Sequence, residues 1–148
     1  MFHYVACGLP NIFLVNGYTE SELPNGQKTF KIDDVKGLHK AIGMHLVQKE
    51  SILDGDEFRF LRTEMLLSRK GLGELLGYSL EALKKWESGE NKVQKSADVL
   101  LRILYKEFVM ESSAVRDLVE KLNEIERKVS EKISFAETDQ GWVEKDCA

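Results

Sequence analysis

The hydrophobic positions change their period along the chain. Residues 3–8, His3-Tyr4-Val5-Ala6-Cys7-Gly8, and 11–18, Asn11-Ile12-Phe13-Leu14-Val15-Asn16-Gly17-Tyr18, are rich in β-formers. Gly8-Leu9-Pro10-Asn11 and Asn16-Gly17 read as turns, as does Asn25-Gly26. Thr29-Phe30-Lys31-Ile32 then alternates polar and apolar. A small antiparallel sheet is expected here. The period then lengthens. Val35, Leu38, Ile42 and Leu46 recur at three and four, predicting a helix from a cap at Asp33 or Asp34 to about Gln48. Asp54 and Glu57 have capping-box spacing, and Phe58, Leu61 and Met65 form one face of a helix over about 56–66. Short helices with tight turns are expected from 67 to 108. Val115, Leu118, Leu122, Ile125 and Val129 follow the heptad seam of a single helix over about 113–133. Residues 136–148 are expected to be frayed or loosely docked.

Two serines divide the middle of the chain. Ser68 and Ser79 each precede a helical pattern, and Gly77 and Gly89 stand where those helices must end in left-handed turns. Two helices joined by three residues cannot lie antiparallel; they cross steeply, the geometry of a helix-turn-helix. Leu72, Leu75 and Leu76 are expected to face Leu83 and Trp86 across that crossing. Leu80, Glu81, Lys84, Lys85 and Ser88 are left outside, and a helix face of this kind suits a major groove. Arg69 and Lys70 oppose the dipole at a helix start, which hints at an anionic partner.

The pattern S-x-x-x-L-x-x-L-L-G-x-S-x-x-x-L-x-x-W-E-x-G over 68–89 resembles the lambda-repressor-like, XRE-type helix-turn-helix family, and the likeness extends over about 56–108. More loosely, Gly37-Leu38-His39-Lys40-Ala41-Ile42 followed by Glu57-Phe58-Arg59-Phe60-Leu61-Arg62 resembles the helix-turn-helix half of MqsA-type antitoxins, without the zinc module of those proteins. The first resemblance implies a DNA-binding role for Arg69, Ser79, Leu80, Glu81, Lys84, Lys85, Ser88, Lys92 and Lys95. Leu80 would meet a thymine methyl, and Glu81 would accept from cytosine N4.

Composition adjusts this picture. The net charge is −4, which by itself argues against nucleic acid. The charge is unevenly spread: −1 over residues 1–54, +2 over 55–106 and −5 over 107–148. The acid lies mainly in the tail, and the middle is mildly basic. No apolar run approaches a membrane span, and the first residues lack a signal-peptide pattern, so a cytoplasmic protein without a membrane partner is expected. The two cysteines, Cys7 and Cys147, make no CxxC pair, and His39 and His45 are six apart, so no metal or cofactor is expected. No nucleophile or acid/base constellation can be assembled from the linear sequence, and an enzyme is not expected.

The fold class expected is therefore mainly α: a lambda-repressor-like helix-turn-helix bundle with a small N-terminal β element and a long C-terminal helix. Its parts are a β-plus-helix region at 1–53, a DNA-binding domain at 54–110 and a helix with an acidic tail at 111–148. The function expected is sequence-specific regulation of transcription, as a repressor on double-stranded DNA, acting as a homodimer; the 115–129 seam either packs on the body of its own monomer or pairs with its twin. The alternative is an antitoxin-like module that binds a toxin-like partner protein.

Overall fold

A computed structural model describes residues 1–110, 117–118, 120–121 and 133–145. In chain order the elements are β1 (Phe2–His3), β2 (Phe13–Leu14), β3 (Tyr18–Glu22), β4 (Lys28–Ile32), α1 (Val35–Gln48), α2 (Gly55–Glu64), α3 (Arg69–Leu76), α4 (Leu80–Glu87), α5 (Lys95–Val109), β5 (Ser134–Thr138) and β6 (Gly141–Lys145). The fold is mixed α/β: among the described residues, helices α1–α5 stand with three separate antiparallel pairs, β1–β2, β3–β4 and β5–β6. The expectation of a mainly α chain is thus met only in part.

The N-terminal β-formers give shorter ladders than their composition suggests. β1 and β2 exchange only two residue pairs, Phe2 with Leu14 and His3 with Phe13. The longer hairpin is β3–β4, from Tyr18 opposite Ile32 to Glu22 opposite Lys28. Its turn is the one marked by Asn25-Gly26: Gly26 is left-handed, and the Asn25 side chain accepts from the Gln27 amide at 3.0 Å. Phe2 joins the two ladders by packing on the rings of Tyr18 and Phe30. Tyr4, Leu9 and Leu14 turn inward to Ile42 and Leu46 of α1, so this region shares one core with the helices.

Helix starts follow the caps. Asp34 accepts from the Gly37 amide, and the Asp54–Glu57 capping box closes in both directions, at 2.8 and 2.9 Å. Phe58, Leu61 and Met65 are buried, as their spacing predicts. Each such side chain contributes roughly 1.5–3 kcal/mol by leaving water. Val35 is exposed, so the buried stripe of α1 begins later than its apolar spacing implies. α5 packs against α1 and α2. Asp98 and Arg102 hold it there: Asp98 accepts from the Leu53 amide at 2.9 Å, and Arg102 donates to Asp98 and to the carbonyls of Lys49 and Ser51.

The C-terminal expectation is corrected. Residues 136–145 are not frayed but belong to the β5–β6 hairpin, in which Thr138 pairs with Gly141 and Ser134 with Lys145. Gly141 adopts φ 103°, and the Thr138 hydroxyl donates to its carbonyl at 2.7 Å. Neither face of this hairpin is fully buried, so its hydrophobic pattern carries little signal; backbone pairing and a glycine turn define it. The expected helix cannot reach its proposed end, since Ile133 is non-helical and exposed. Of the seam, Val115, Leu122, Ile125 and Val129 lie outside the described residues, and Leu118 is exposed.

Candidate nucleic-acid interface

α3 and α4 are built from their termini inward. The Ser68 hydroxyl accepts from the Gly71 amide at 2.9 Å, and the Ser79 hydroxyl accepts from the Ala82 amide at 3.1 Å. Gly77 takes φ 81° and ends α3, and the amides of both Gly77 and Tyr78 return to the Gly73 carbonyl at 2.8 Å. Gly73 itself is buried, and a Cβ there would lie 2.7 Å from the Tyr78 carbonyl oxygen. A glycine inside a short helix costs helix propensity, and here the tight return of the chain requires it.

The inward side of α4 is sealed. Leu72 and Leu83 are wholly buried, and the Trp86 indole meets Phe58 and Tyr78 edge-on. Leu75 and Leu76 are only partly buried, at the margin of this core. The outward side carries Leu80, Glu81, Lys84, Lys85 and Ser88, all exposed. Ser79 is also exposed, with its hydroxyl occupied as the cap. Glu81 and Lys84 form a loose ion pair at 3.8 Å, which a phosphate could replace at small cost. Lys92 and Lys95, in the loop after α4 and at the start of α5, are exposed.

The centre of the arrangement is a residue that the sequence reading left unassigned. Glu87 is buried and accepts from three arginines: Arg62 through Nε at 2.9 Å and Nη2 at 2.8 Å, Arg69 through Nε at 3.2 Å, and Arg59 through Nε at 3.3 Å. Burial pushes the Glu87 carboxyl up, but hydrogen bonds and charge from Arg62 and Arg69 outweigh it, and the group titrates below its ordinary 4.5. The anionic neighbour of Arg69 is therefore internal. Its Nη groups have no partner among the described residues, so its outer end stays available. The signal for Glu87 was present as the glutamate of the Trp-Glu-x-Gly ending; its partners, 18 to 28 residues away, were not visible in any spacing.

A second cluster was likewise beyond the linear sequence. The Tyr4 hydroxyl meets His39 Nε2 at 2.8 Å, and His39 Nδ1 meets Glu64. The two ring nitrogens of His39 thus link the phenol to the carboxylate. Carboxylate, imidazole and hydroxyl stand in the order of a nucleophile relay. The hydroxyl is that of a buried phenol, and burial, with charge on Cys7 and Glu64 adding to it, raises the Tyr4 pKa, the opposite of activation. The chain of bonds ties the N-terminal loop to α1 and α2. Among the described residues no group of three or more His, Cys, Asp or Glu side chains could hold a metal ion, and no helix is long and apolar enough to cross a membrane.

Comparison of the chain with protein-family models, curated proteins and solved structures returned no match.

Proposed function

We propose that the chain is a sequence-specific DNA-binding regulator in which α3 and α4 form a helix-turn-helix and α4 enters the major groove. The observation that carries this reading is the division of α4. Leu83, Trp86 and Glu87 are buried, whereas Leu80, Glu81, Lys84, Lys85 and Ser88 are all exposed on the other side. Lys84, Lys85, Lys92, Lys95 and the outer end of Arg69 would supply phosphate contacts and hence affinity. Leu80 and Glu81 would supply base contacts and hence choice. Repression would follow from steric occupation of the operator. An operator with two-fold symmetry calls for a homodimer, and the exposed apolar side chains Val99, Leu100 and Ile103 on α5 support one.

The test is selection of binding sites from random duplexes, followed by gel retardation with Lys84→Glu combined with Lys85→Glu. The proposal expects a recovered consensus and loss of retardation in a variant with unchanged circular dichroism. Retention of full binding by that variant would remove α4 from the interface.

A second reading has its own observation. Phe13, Val15 and Phe30 are exposed on the N-terminal β element, which favours a protein partner of the antitoxin kind at that end. Co-purification of a stoichiometric partner, lost on Phe13→Ser with Val15→Ser, would support it.

A further inference from the structure

We propose that the cleft between α1, the end of α2 and the end of α5 binds a small amphipathic carboxylate that also carries a carbonyl oxygen. The inference is independent of the DNA reading.

The cleft has a volume of about 600 Å³, within the range of small-molecule sites. Its strongest feature is Tyr105. The side chain is 2% exposed, yet its hydroxyl makes no hydrogen bond with any described residue. No fully enclosed side-chain oxygen or nitrogen among the described residues lacks a partner, so the hydroxyl keeps some accessible surface, and Tyr105 lines the cleft. A donor with so little surface and no protein partner offers a ligand acceptor a site in place of water. Burial, with the Glu64 charge adding, pushes Tyr105 up to about 12, so it remains a donor at neutral pH. Gly43 of α1 makes this placement possible: a Cβ there would overlap the Tyr105 hydroxyl and ring.

The remaining lining specifies the rest of the ligand. Leu66, Phe108 and Val109 are apolar, and Leu66 is 80% exposed on a backbone at φ 58° that a branched side chain adopts only at a cost. That exposed surface suits a hydrocarbon body. Lys36 and Lys40 stand exposed on the rim, and neither makes an ion pair among the described residues. The acid in the cleft, Glu64, is already engaged by His39. An anionic group on the ligand would therefore face two unpaired lysines.

The test titrates the full chain, without DNA, with 4-acetylbenzoate, and in parallel with 4-isopropylbenzoate, which lacks the ketone oxygen, using calorimetry. Saturable binding of the ketone is expected, about tenfold tighter than the isopropyl analogue. Tyr105→Phe should abolish that preference, and Lys36→Ala with Lys40→Ala should weaken both ligands. No saturable binding of the ketone, equal binding of the two ligands by the unaltered protein, or a preference that survives Tyr105→Phe would each overturn the proposal. The comparison of ligands on the unaltered protein stands even if a variant fails to fold. Failure here leaves operator binding untouched, and the retardation assay decides that reading separately.

Discussion

Arg69 donates through Nε to the buried Oε1 of Glu87 at 3.2 Å, although eighteen residues separate them in sequence. The bond joins the first residue of α3 to the last residue of α4. It fixes where the exposed end of Arg69 lies relative to the outer side of α4. A side chain proposed to reach DNA is thus also part of the frame that presents the helix proposed to face it.

Removing the Glu87 charge should destabilise the fold. Glu87→Gln keeps the shape but leaves Arg62 buried beside a neutral amide, and loss of one partner of a buried pair costs about 3 kcal/mol. Urea unfolding should show a lower midpoint with little change in slope. A midpoint equal to that of the parent would mean that the arginine cluster adds nothing net.

The same carboxyl sets an acid limit. Its folded pKa lies below the ordinary 4.5, so its contribution is present above that value and is lost as pH falls below it. Stability followed by thermal unfolding from pH 6 downward should therefore decline in this acid range, and the decline should be shallower in Glu87→Gln. Equal slopes for the two proteins would assign the acid sensitivity to other groups.

Gly73→Ala should destabilise the protein, by about 2 kcal/mol, although alanine favours helices. The added methyl would meet the Tyr78 carbonyl oxygen, which is backbone and cannot swing aside. A rise in Tm would show that the α3–α4 turn is looser than its geometry indicates.

Leu66→Gly should stabilise the chain by about 0.5–1 kcal/mol, because glycine accepts the left-handed backbone and little buried surface is given up. Chemical denaturation is the appropriate measurement. A destabilised variant would mean that the Leu66 side chain makes more than a rim contact.

If α4 reads DNA, Lys84→Ala should weaken binding about equally across sequences and reduce the log–log salt slope by about 1. Binding titrations at several salt concentrations would show this, with stability within about 0.5 kcal/mol of the parent because the side chain is exposed. A change confined to one base position would instead make Lys84 a base reader.

The linear sequence determined what depends on neighbours a few residues apart. Ser68 and Ser79 as caps, the Asp54–Glu57 box, the left-handed Gly77 and the buried set of Phe58, Leu72, Leu83 and Trp86 all rest on spacings of one to four residues. The alternation of exposed and buried positions on α4, and so the candidate site, could be read in the same way. Tertiary structure alone decided what meets across long separations. It brought Arg59, Arg62 and Arg69 to Glu87, set His39 between Tyr4 and Glu64, and laid Tyr105 against Gly43. It also produced the β5–β6 hairpin, whose backbone pairing leaves almost no mark in hydrophobic period. The physical reason is common to these cases: a period records which side of an element leaves water, whereas the identity of a polar partner or a paired strand is set by how separate elements pack.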